Sequence, residues 1–336
     1  MPDINEILNV VPRFEEMVSS PIGLGMAALG RPGYINLGHK DDIADKSYEA
    51  MRQHAKQVLD EAYQLGIRYF DTAASYGAGE RFLGDWVFGR GLHSRDLTVA
   101  SKWGYTYTAD WQVEADVHEI KEHSLDNLNR SFIWSCLHLG RPLCIYQIHS
   151  ATFESGVLEN TAVLNRLAEI RQDGRLIGLT VSGVRQAELI DRALEITIDD
   201  VALFDVVQAT WNLLETSAGQ ALARAKDAGM VVIVKEALAN GRLTGRDQSA
   251  EFSDTKRVLQ LHADKLKCSL DALSIAAAVN QPWSDVVLSG ASHVEQLRSN
   301  MKAIDVAWQP DNANALHEIS ENPDVYWQTR SRLKWN

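Results

Sequence analysis

The feature that most limits the fold of this chain is a regular alternation of short apolar segments with segments of helical periodicity. Residues 176–181 (LIGLTV) form a short apolar run typical of a strand buried on both faces. Other apolar residues follow a helical spacing, namely Val113, Val117, Ile120, Leu128 and Phe132. Because the alternation continues from about residue 48 onward, the sequence predicts an α/β protein.

Eight strands are predicted, near residues 21–28, 67–71, 97–102, 143–148, 175–181, 204–209, 230–235 and 285–289. Helices are predicted near residues 48–65, 78–88, 113–132, 159–173, 185–195, 216–229, 255–280, 293–304 and 312–321. Eight alternations joined by short turns predict a closed (β/α)8 TIM barrel. Because no proline-rich, serine-rich or low-complexity linker divides the chain, we expect a single domain over residues 1–336. The irregular stretches 30–47 and 236–254 are expected to form rim loops.

Composition narrows the classes of partner. The formal net charge is −12, whereas nucleic acids and anionic membranes both require clustered Lys and Arg on the protein. We therefore expect no nucleic-acid partner and no membrane partner.

The cysteines and the N-terminus bear on the compartment. Cys136, Cys144 and Cys268 form no C-x-x-C pair, so neither a disulfide framework nor a cysteine metal site is indicated. Residues 1–6 lack the basic start and apolar run of a signal peptide, and no apolar stretch approaches about 18 residues. We expect a soluble, cytoplasmic protein.

Polar residues capable of proton chemistry follow three successive predicted strands. Asp71, Lys102 and His149 each stand at a predicted strand end, and Tyr76 follows Asp71 in a glycine-flanked loop. In a parallel barrel the C-terminal strand ends open onto one rim, so these side chains should converge on one pocket. This arrangement predicts an enzyme.

Two further motifs resemble a dinucleotide-binding fingerprint and a zinc-binding helix, but neither fits its pattern well. The segment GLGMAA at 23–28 matches the G-x-G-x-x-A dinucleotide fingerprint, but Gly30, Pro32 and Gly33 follow where a helix is required. His118 and His123 resemble a zinc helix, yet five residues of separation place them about 140° apart on a helix. We therefore expect no metal site there, but a solvated surface.

The segment FDTAASYG at 70–77, with Lys102 and with YQIH at 146–149, resembles the aldo-keto reductase superfamily. The resemblance extends from Gly23 to about Asn300. It implies a (β/α)8 barrel on which Asp71, Tyr76, Lys102 and His149, here called the tetrad, move hydride between a nicotinamide cofactor and a carbonyl or alcohol.

The chemistry of the tetrad can be argued from the residue types. Reduction of a carbonyl generates an alkoxide that needs a proton donor, and a tyrosine, with a usual pKa of about 10, is a reluctant one. A neighbouring ammonium favours phenolate, so Lys102 would tune Tyr76 while Asp71 holds the lysine protonated. His149 would donate a hydrogen bond to the substrate oxygen.

The resemblance also implies a set of cofactor-binding residues: Gly25, Met26, Ser182, Gln208, Lys235, Leu238, Gly241, Leu243, Gly290, Ser292, Gln296 and Asn300. Ser182 and Gln208 match ligands of the nicotinamide carboxamide, whereas Gly183 replaces an Asn of the family. Lys235 takes the place of an aromatic residue that often stacks on the nicotinamide ring. Its stem can cover a ring, but its charge would disfavour the oxidised cofactor.

Cofactor choice depends on the segment after the last predicted strand. Many family members place Lys or Arg there to bind the 2′-phosphate of NADP, whereas this chain offers Ser292, His293 and Gln296, with Arg298 nearby. We expect NADP(H) to be favoured by less than about a hundredfold, with NAD(H) also usable.

The leading prediction is an NAD(P)-dependent reductase of an aldehyde, ketone or sugar-like carbonyl, or a dehydrogenase of the corresponding alcohol. One alternative is a cofactor-binding sensor or partner subunit with little turnover. Another is a lyase that uses Lys102 or Lys235 as a Schiff-base amine. Rim aromatics, namely Trp103, Tyr105, Tyr107 and Trp111, are candidates for the substrate pocket. The particular substrate and the oligomeric state stay open.

Overall fold

The computed structural model of the protein describes residues 20–336, so the segment on which the signal-peptide prediction rests lies outside the described residues. The strands are β1 (Ile22–Gly25), β2 (Tyr69–Asp71), β3 (Thr98–Trp103), β4 (Tyr105–Tyr107), β5 (Glu119–Lys121), β6 (Leu143–Ala151), β7 (Leu176–Val181), β8 (Thr197–Ile198), β9 (Val201–Ala202), β10 (Val206–Thr210), β11 (Val231–Lys235) and β12 (Val286–Ser289).

The helices are α1 (His39–Asp42), α2 (Tyr48–Gln64), α3 (Gly79–Gly89), α4 (Leu125–Leu139), α5 (Thr161–Gln172), α6 (Gln186–Leu194), α7 (Gly219–Asp227), α8 (Ser253–Leu266), α9 (Leu270–Val279), α10 (Val294–Met301), α11 (Pro310–Leu316) and α12 (Pro323–Ser331). In the part of the chain that the structure describes, no helix is long and apolar enough to cross a membrane.

Eight parallel strands close into a barrel in the order β1, β2, β3, β6, β7, β10, β11, β12, with β12 paired back to β1. The predicted TIM barrel is thereby confirmed. Apolar side chains fill its interior, including Tyr69, Ile145 and Ile233, all fully buried. A larger apolar cluster packs the outer faces of the strands against the helices.

Two predicted helices were wrong in extent. Residues 113–124 are not helical: β5 pairs with β4 in an antiparallel hairpin, and α4 begins only after Ser124, whose hydroxyl accepts a hydrogen bond from the amide of Asn127. The spacing of Val117 and Ile120 mimicked a helix, although both side chains are exposed. The predicted helix 255–280 is two helices, because Lys267 adopts a left-handed backbone (φ 54°) that ends α8.

The two histidines near this hairpin also differ from expectation. His123 is half-buried: its Nε2 donates to the carbonyl oxygen of His149 (2.9 Å) and its ring packs edge-on against Trp103. His118 stacks on Trp335 with ring centres 4.1 Å apart. Within residues 20–336 no group of three or more His, Cys, Asp or Glu side chains is arranged to hold a metal ion.

Candidate active site

The barrel places the tetrad at one mouth. Asp71 is the last residue of β2, Lys102 lies near the end of β3, and His149 lies near the end of β6. Tyr76 comes from the loop between β2 and α3. A cavity of about 740 Å³ opens here, and Asp71, Tyr76 and His149 line it. The convergence predicted from the strand ends is present.

Asp71 and Lys102 form a buried ion pair, with side-chain exposures of 3% and 1%. The ammonium also donates to the carbonyl oxygen of Thr72 (2.8 Å). The second carboxylate oxygen of Asp71 accepts from Gln208 (3.0 Å) and from Gln147 (3.4 Å). Because the carboxylate is held from several strands, Lys102 has a fixed position against the cavity wall.

Tyr76 lies between two cations. The Nζ of Lys102 is 4.9 Å from the centre of its ring, and the Cζ of Arg31 is 5.0 Å from the same centre. Burial raises the pKa of the phenol well above its usual value, the Asp71 carboxylate raises the pKa further, and Arg31 lowers it. The phenol is therefore protonated at neutral pH, as an acid catalyst needs to be.

Arg31 was missed by sequence reasoning. It is 3% exposed, and its Nη1 donates to the carbonyl oxygen of Ser75 (3.2 Å) and to Glu119 (2.8 Å). Its guanidinium also lies 4.6 Å from the ring centre of Trp335. Arg31 lies beside Pro32 and Gly33 in a rim loop that has no periodicity, and its partner Glu119 is 88 positions away in sequence. No local pattern therefore identifies it as a site residue.

His149 is neutral at physiological pH. Burial lowers its pKa well below the usual value, and the nearby charges of Lys102, Arg31 and Lys235 lower it further. Its ring packs edge-on against Tyr76 and Tyr105. Among the described residues no hydrogen-bond partner is found for its buried Nδ1.

Lys235 lines the same cavity at the end of β11. Its ammonium donates to the hydroxyls of Thr210 (2.8 Å) and Ser182 (3.1 Å). Burial lowers its pKa to about 8, although neighbouring Glu236 opposes the shift. The carboxylate of Glu236 is in turn held by Arg330 of α12. Glu236 and Arg330 both line the cavity and were not foreseen from the sequence.

The residues that directly follow His149 and Lys235 adopt left-handed backbone. Ser150, next to His149, has a φ of 51°, and Glu236, next to Lys235, has a φ of 55°. Such conformations cost about 1–3 kcal/mol each and tend to cluster at functional sites. Ser150 follows His149 within β6, Glu236 follows Lys235 at the end of β11, and both of the preceding residues line the cavity.

The predicted cofactor-binding residues divide into two groups. Most of them line the cavity: Gly25, Ser182, Gln208, Lys235, Leu238, Gly241, Gly290, Gln296 and Asn300. Met26 and Leu243 are fully buried in the apolar core, and the structure does not bring their side chains to the cavity. Ser292 is 2% exposed and lies behind the cavity wall, where its hydroxyl donates to Asp42 (2.6 Å).

The remaining candidates have the following positions. Asn300 accepts from Ser289 (2.8 Å) and donates to Asp271 (2.7 Å). Arg298 pairs with Glu61 on the surface (2.7 Å). Of the rim aromatics, Tyr105 lines the cavity, whereas Trp103 is fully buried in the core.

The cavity has the properties that a nicotinamide dinucleotide requires. Its volume falls within the usual range of ligand sites, about 300–1,000 Å³. Gly25, Gly241 and Gly290 leave backbone open to it, and a Cβ at Gly290 would meet no atom within 4 Å. The residues present therefore fit such a cofactor.

A parallel eight-stranded barrel with a polar cavity at the C-terminal strand ends defines the class of barrel enzymes. The model of the aldo/keto reductase family matches residues 21–321, so the chain belongs to the aldo/keto reductase family. Members of this family are oxidoreductases that act on carbonyls, and nicotinamide cofactors are typical of it.

Individual relatives are distant. The uncharacterized oxidoreductase YqkF of Bacillus subtilis is 24% identical and covers 83% of this chain and 92% of its own. The NADH-specific methylglyoxal reductase of Escherichia coli is 24% identical, covering 80% and 88%. The structure of aldo-keto reductase AKR11C1 from Bacillus halodurans matches with a TM-score of 0.68 at 19% identity, covering 90% and 93%. This last likeness supports the fold.

Proposed function

We propose that the protein is an NAD(P)-dependent oxidoreductase of an aldehyde, ketone or sugar-like carbonyl, or of the corresponding alcohol. The observation that carries the proposal is the convergence of Tyr76, His149 and the Lys102–Asp71 pair on one cavity. The methylglyoxal reductase among the relatives supports a small carbonyl substrate. When bound, the cofactor would supply the hydride.

Each residue of the tetrad has a role that follows from its environment. Tyr76, protonated at neutral pH, donates its proton to the substrate oxygen during reduction. Neutral His149 donates a hydrogen bond to the same oxygen and orients it. Lys102, fixed by Asp71, keeps a positive charge against the ring of Tyr76 and favours the phenolate that remains.

The cofactor would be held by residues that already line the cavity. Ser182 and Gln208 would bind the carboxamide, since both line the cavity. The Nε2 of Gln208 already donates to Asp71, so the side-chain oxygen of Gln208 would accept a hydrogen bond from the carboxamide NH2. The stem of Lys235 would cover the nicotinamide ring. The backbone of Gly241 and Gly290 would face the rest of the molecule.

The test measures the near-ultraviolet absorbance of reduced nicotinamide with NADH or NADPH and a panel of aldehydes, ketones and sugars. We expect turnover that is lost in Tyr76→Phe. Tight cofactor binding without turnover on any substrate would contradict the proposal and favour a sensor or partner subunit.

A second candidate is a lyase that acts through a Schiff base. Lys235 favours it, because an amine with a pKa of about 8 in a cavity is partly neutral and nucleophilic. Lys102 is a poor candidate for this role, since its ammonium is ion-paired with Asp71. Borohydride trapping of a carbonyl substrate on Lys235, absent in Lys235→Met, would support the lyase.

A further inference from the structure

The hairpin of β4 and β5 turns one of its faces to the cavity. Glu119 and Lys121 lie two positions apart on β5, so their side chains leave the same face of the strand about 6.6 Å apart. Both residues line the cavity, as does Tyr105, which is paired with Lys121 across the hairpin. Ile120, between the two charged residues, is exposed. The hairpin therefore adds one acid and one cation to the cavity wall.

Glu119 is paired with Arg31 and not with its neighbour on the strand. Its carboxylate accepts a hydrogen bond from the Nη1 of Arg31 (2.8 Å). Among the described residues the ammonium of Lys121 pairs with no carboxylate, and it donates to the hydroxyl of Thr152 (3.3 Å). Glu154 attracts Lys121 from a greater distance and is itself exposed. Arg31, Glu119 and Lys121, here called the cationic group, thus hold two cations and one carboxylate, which leaves one positive charge unbalanced.

Arg31 has a donor that no residue uses. Its Nη1 donates to Ser75 and to Glu119, and its Nε is enclosed without a partner. Within residues 20–336 its Nη2 makes no hydrogen bond, yet Nη2 is not enclosed, and Arg31 lines the cavity. The rings of Tyr34 and Trp335, with centres 5.4 Å and 4.6 Å from Cζ, hold the guanidinium in place. Because a guanidinium has donors and no acceptor, Nη2 is suited to an acceptor that enters the cavity.

The cationic group lies close to the tetrad. The Cζ of Arg31 is 5.0 Å from the ring centre of Tyr76. Tyr105 connects Lys121 to the tetrad, since its ring centre is 4.9 Å from that of His149 and 5.8 Å from the Nζ of Lys121. Under the proposed function, on which this inference rests, the reacting oxygen accepts from Tyr76 and His149. A second polar group on a short substrate would then reach the cationic group.

We propose that the substrate carries a carboxylate in addition to its carbonyl, and that Lys121 and the Nη2 of Arg31 bind this carboxylate. One carboxylate balances the unpaired charge of the cationic group, and its two oxygens supply acceptors for both donors. The attraction is local, because the formal net charge of the whole chain is −12 and repels anions at long range.

The experiment compares three aldehyde acids, namely glyoxylate, succinic semialdehyde and glutaric semialdehyde, with their methyl esters at saturating NADH or NADPH. The ester keeps the carbonyl but has no charge, so the ratio of kcat/KM for acid and ester isolates recognition of the carboxylate. We expect the acid to be favoured at least about tenfold in one or more pairs, equivalent to about 1.4 kcal/mol. The ratio should fall with ionic strength, because Lys121 is exposed to solvent.

Lys121→Met should narrow the largest of these ratios to within about threefold. Lys121→Arg keeps the charge and should keep most of the ratio. Lys265→Met is the matched control, because it removes an exposed lysine from α8 that does not line the cavity and should leave the ratio at the wild-type value.

Equal kcat/KM for acid and ester in all three pairs would overturn the inference, and so would an unchanged ratio in Lys121→Met. If uncharged aldehydes are reduced and none of the acids is, the inference fails while the proposed function stands. If no carbonyl compound is turned over with either nicotinamide, the proposed function fails as well.

Discussion

The guanidinium of Arg31 lies 5.0 Å from the centre of the Tyr76 ring, on a side chain that is 3% exposed. Lys102 lies at 4.9 Å from the same centre, but its charge is balanced by Asp71 in a buried pair. Two cations therefore face the phenol, and only one of them was foreseen from the sequence. Proton transfer at Tyr76 should depend on both.

The first prediction concerns the hydroxyl of Tyr76. Tyr76→Phe should lower turnover by at least about a hundredfold, because general acid catalysis needs the hydroxyl, while affinity for NAD(P)H should change little. Tyr34→Phe is the control, since Tyr34 lines the same cavity beside Arg31. Steady-state kinetics measure the turnover of both variants, and cofactor titrations measure their affinity for NAD(P)H. Turnover of Tyr76→Phe within a few-fold of wild type would exclude its role as the acid.

The second prediction concerns Arg31. Its charge lowers the pKa of Tyr76, so Arg31→Met should weaken the acid and move the pH profile of alcohol oxidation to higher pH. Arg31→Lys keeps the charge and should keep the profile closer to wild type, although it loses the Nη1 that donates to both Ser75 and Glu119. Identical pH profiles for the two variants would show that Arg31 acts only as a structural residue.

The third prediction concerns the buried pair of Asp71 and Lys102. Lys102→Met or Asp71→Asn alone leaves the other member of the pair as an unpaired buried charge. Each single variant should therefore lower the unfolding free energy by about 3–5 kcal/mol. The double variant should cost clearly less than the sum, because neither charge then remains. Urea denaturation of all four proteins measures the coupling, and pH–rate profiles should show the same non-additivity. Additive losses would mean that the two groups act independently.

The fourth prediction concerns Lys235 and pH. Its pKa of about 8 lies below the usual lysine value, so the amine is cationic below that pH and neutral above it. Repulsion of the positively charged oxidised nicotinamide should therefore be present below pH 8 and fade as the pH rises. Affinity for NAD⁺ should increase through this range in the wild type and stay flat in Lys235→Met.

Titrations of NAD⁺ at several pH values measure the effect. Lys265→Met is the control, since Lys265 is exposed on α8 and should keep the wild-type slope. The same slope in Lys235→Met would assign the pH dependence to another group.

The barrel and the tetrad could be predicted because they depend on local patterns. A buried strand reads as a short apolar run, and parallel closure alone brings Asp71, Lys102 and His149 to one rim. Tyr76 could be placed at the same rim because the loop that carries it, between β2 and α3, is short. The assignment of catalytic roles to these residues stays a prediction.

The features that were not predicted depend on contacts between residues far apart in sequence, which local patterns do not encode. Arg31 and Glu119 are 88 positions apart, and Asp42 and Ser292 are 250 apart. Both partnerships involve rim loops without periodicity, so no spacing signals them. The false helix at 113–124 has the same origin, since pairing of β5 with β4 overrode a helical spacing.

Asp71 joins parts of the barrel that are distant in sequence: it accepts hydrogen bonds from Lys102 on β3, Gln147 on β6 and Gln208 on β10. The ion pair of Asp71 and Lys102 is thus held in place by the strands of the barrel. Arg31 comes instead from a loop, Asp42 from α1 and Arg330 from α12. Under the proposed function, we expect changes in those segments to alter which cofactor and substrate bind while the ion pair beside Tyr76 keeps its geometry, so that new specificities can evolve on an unchanged chemical step.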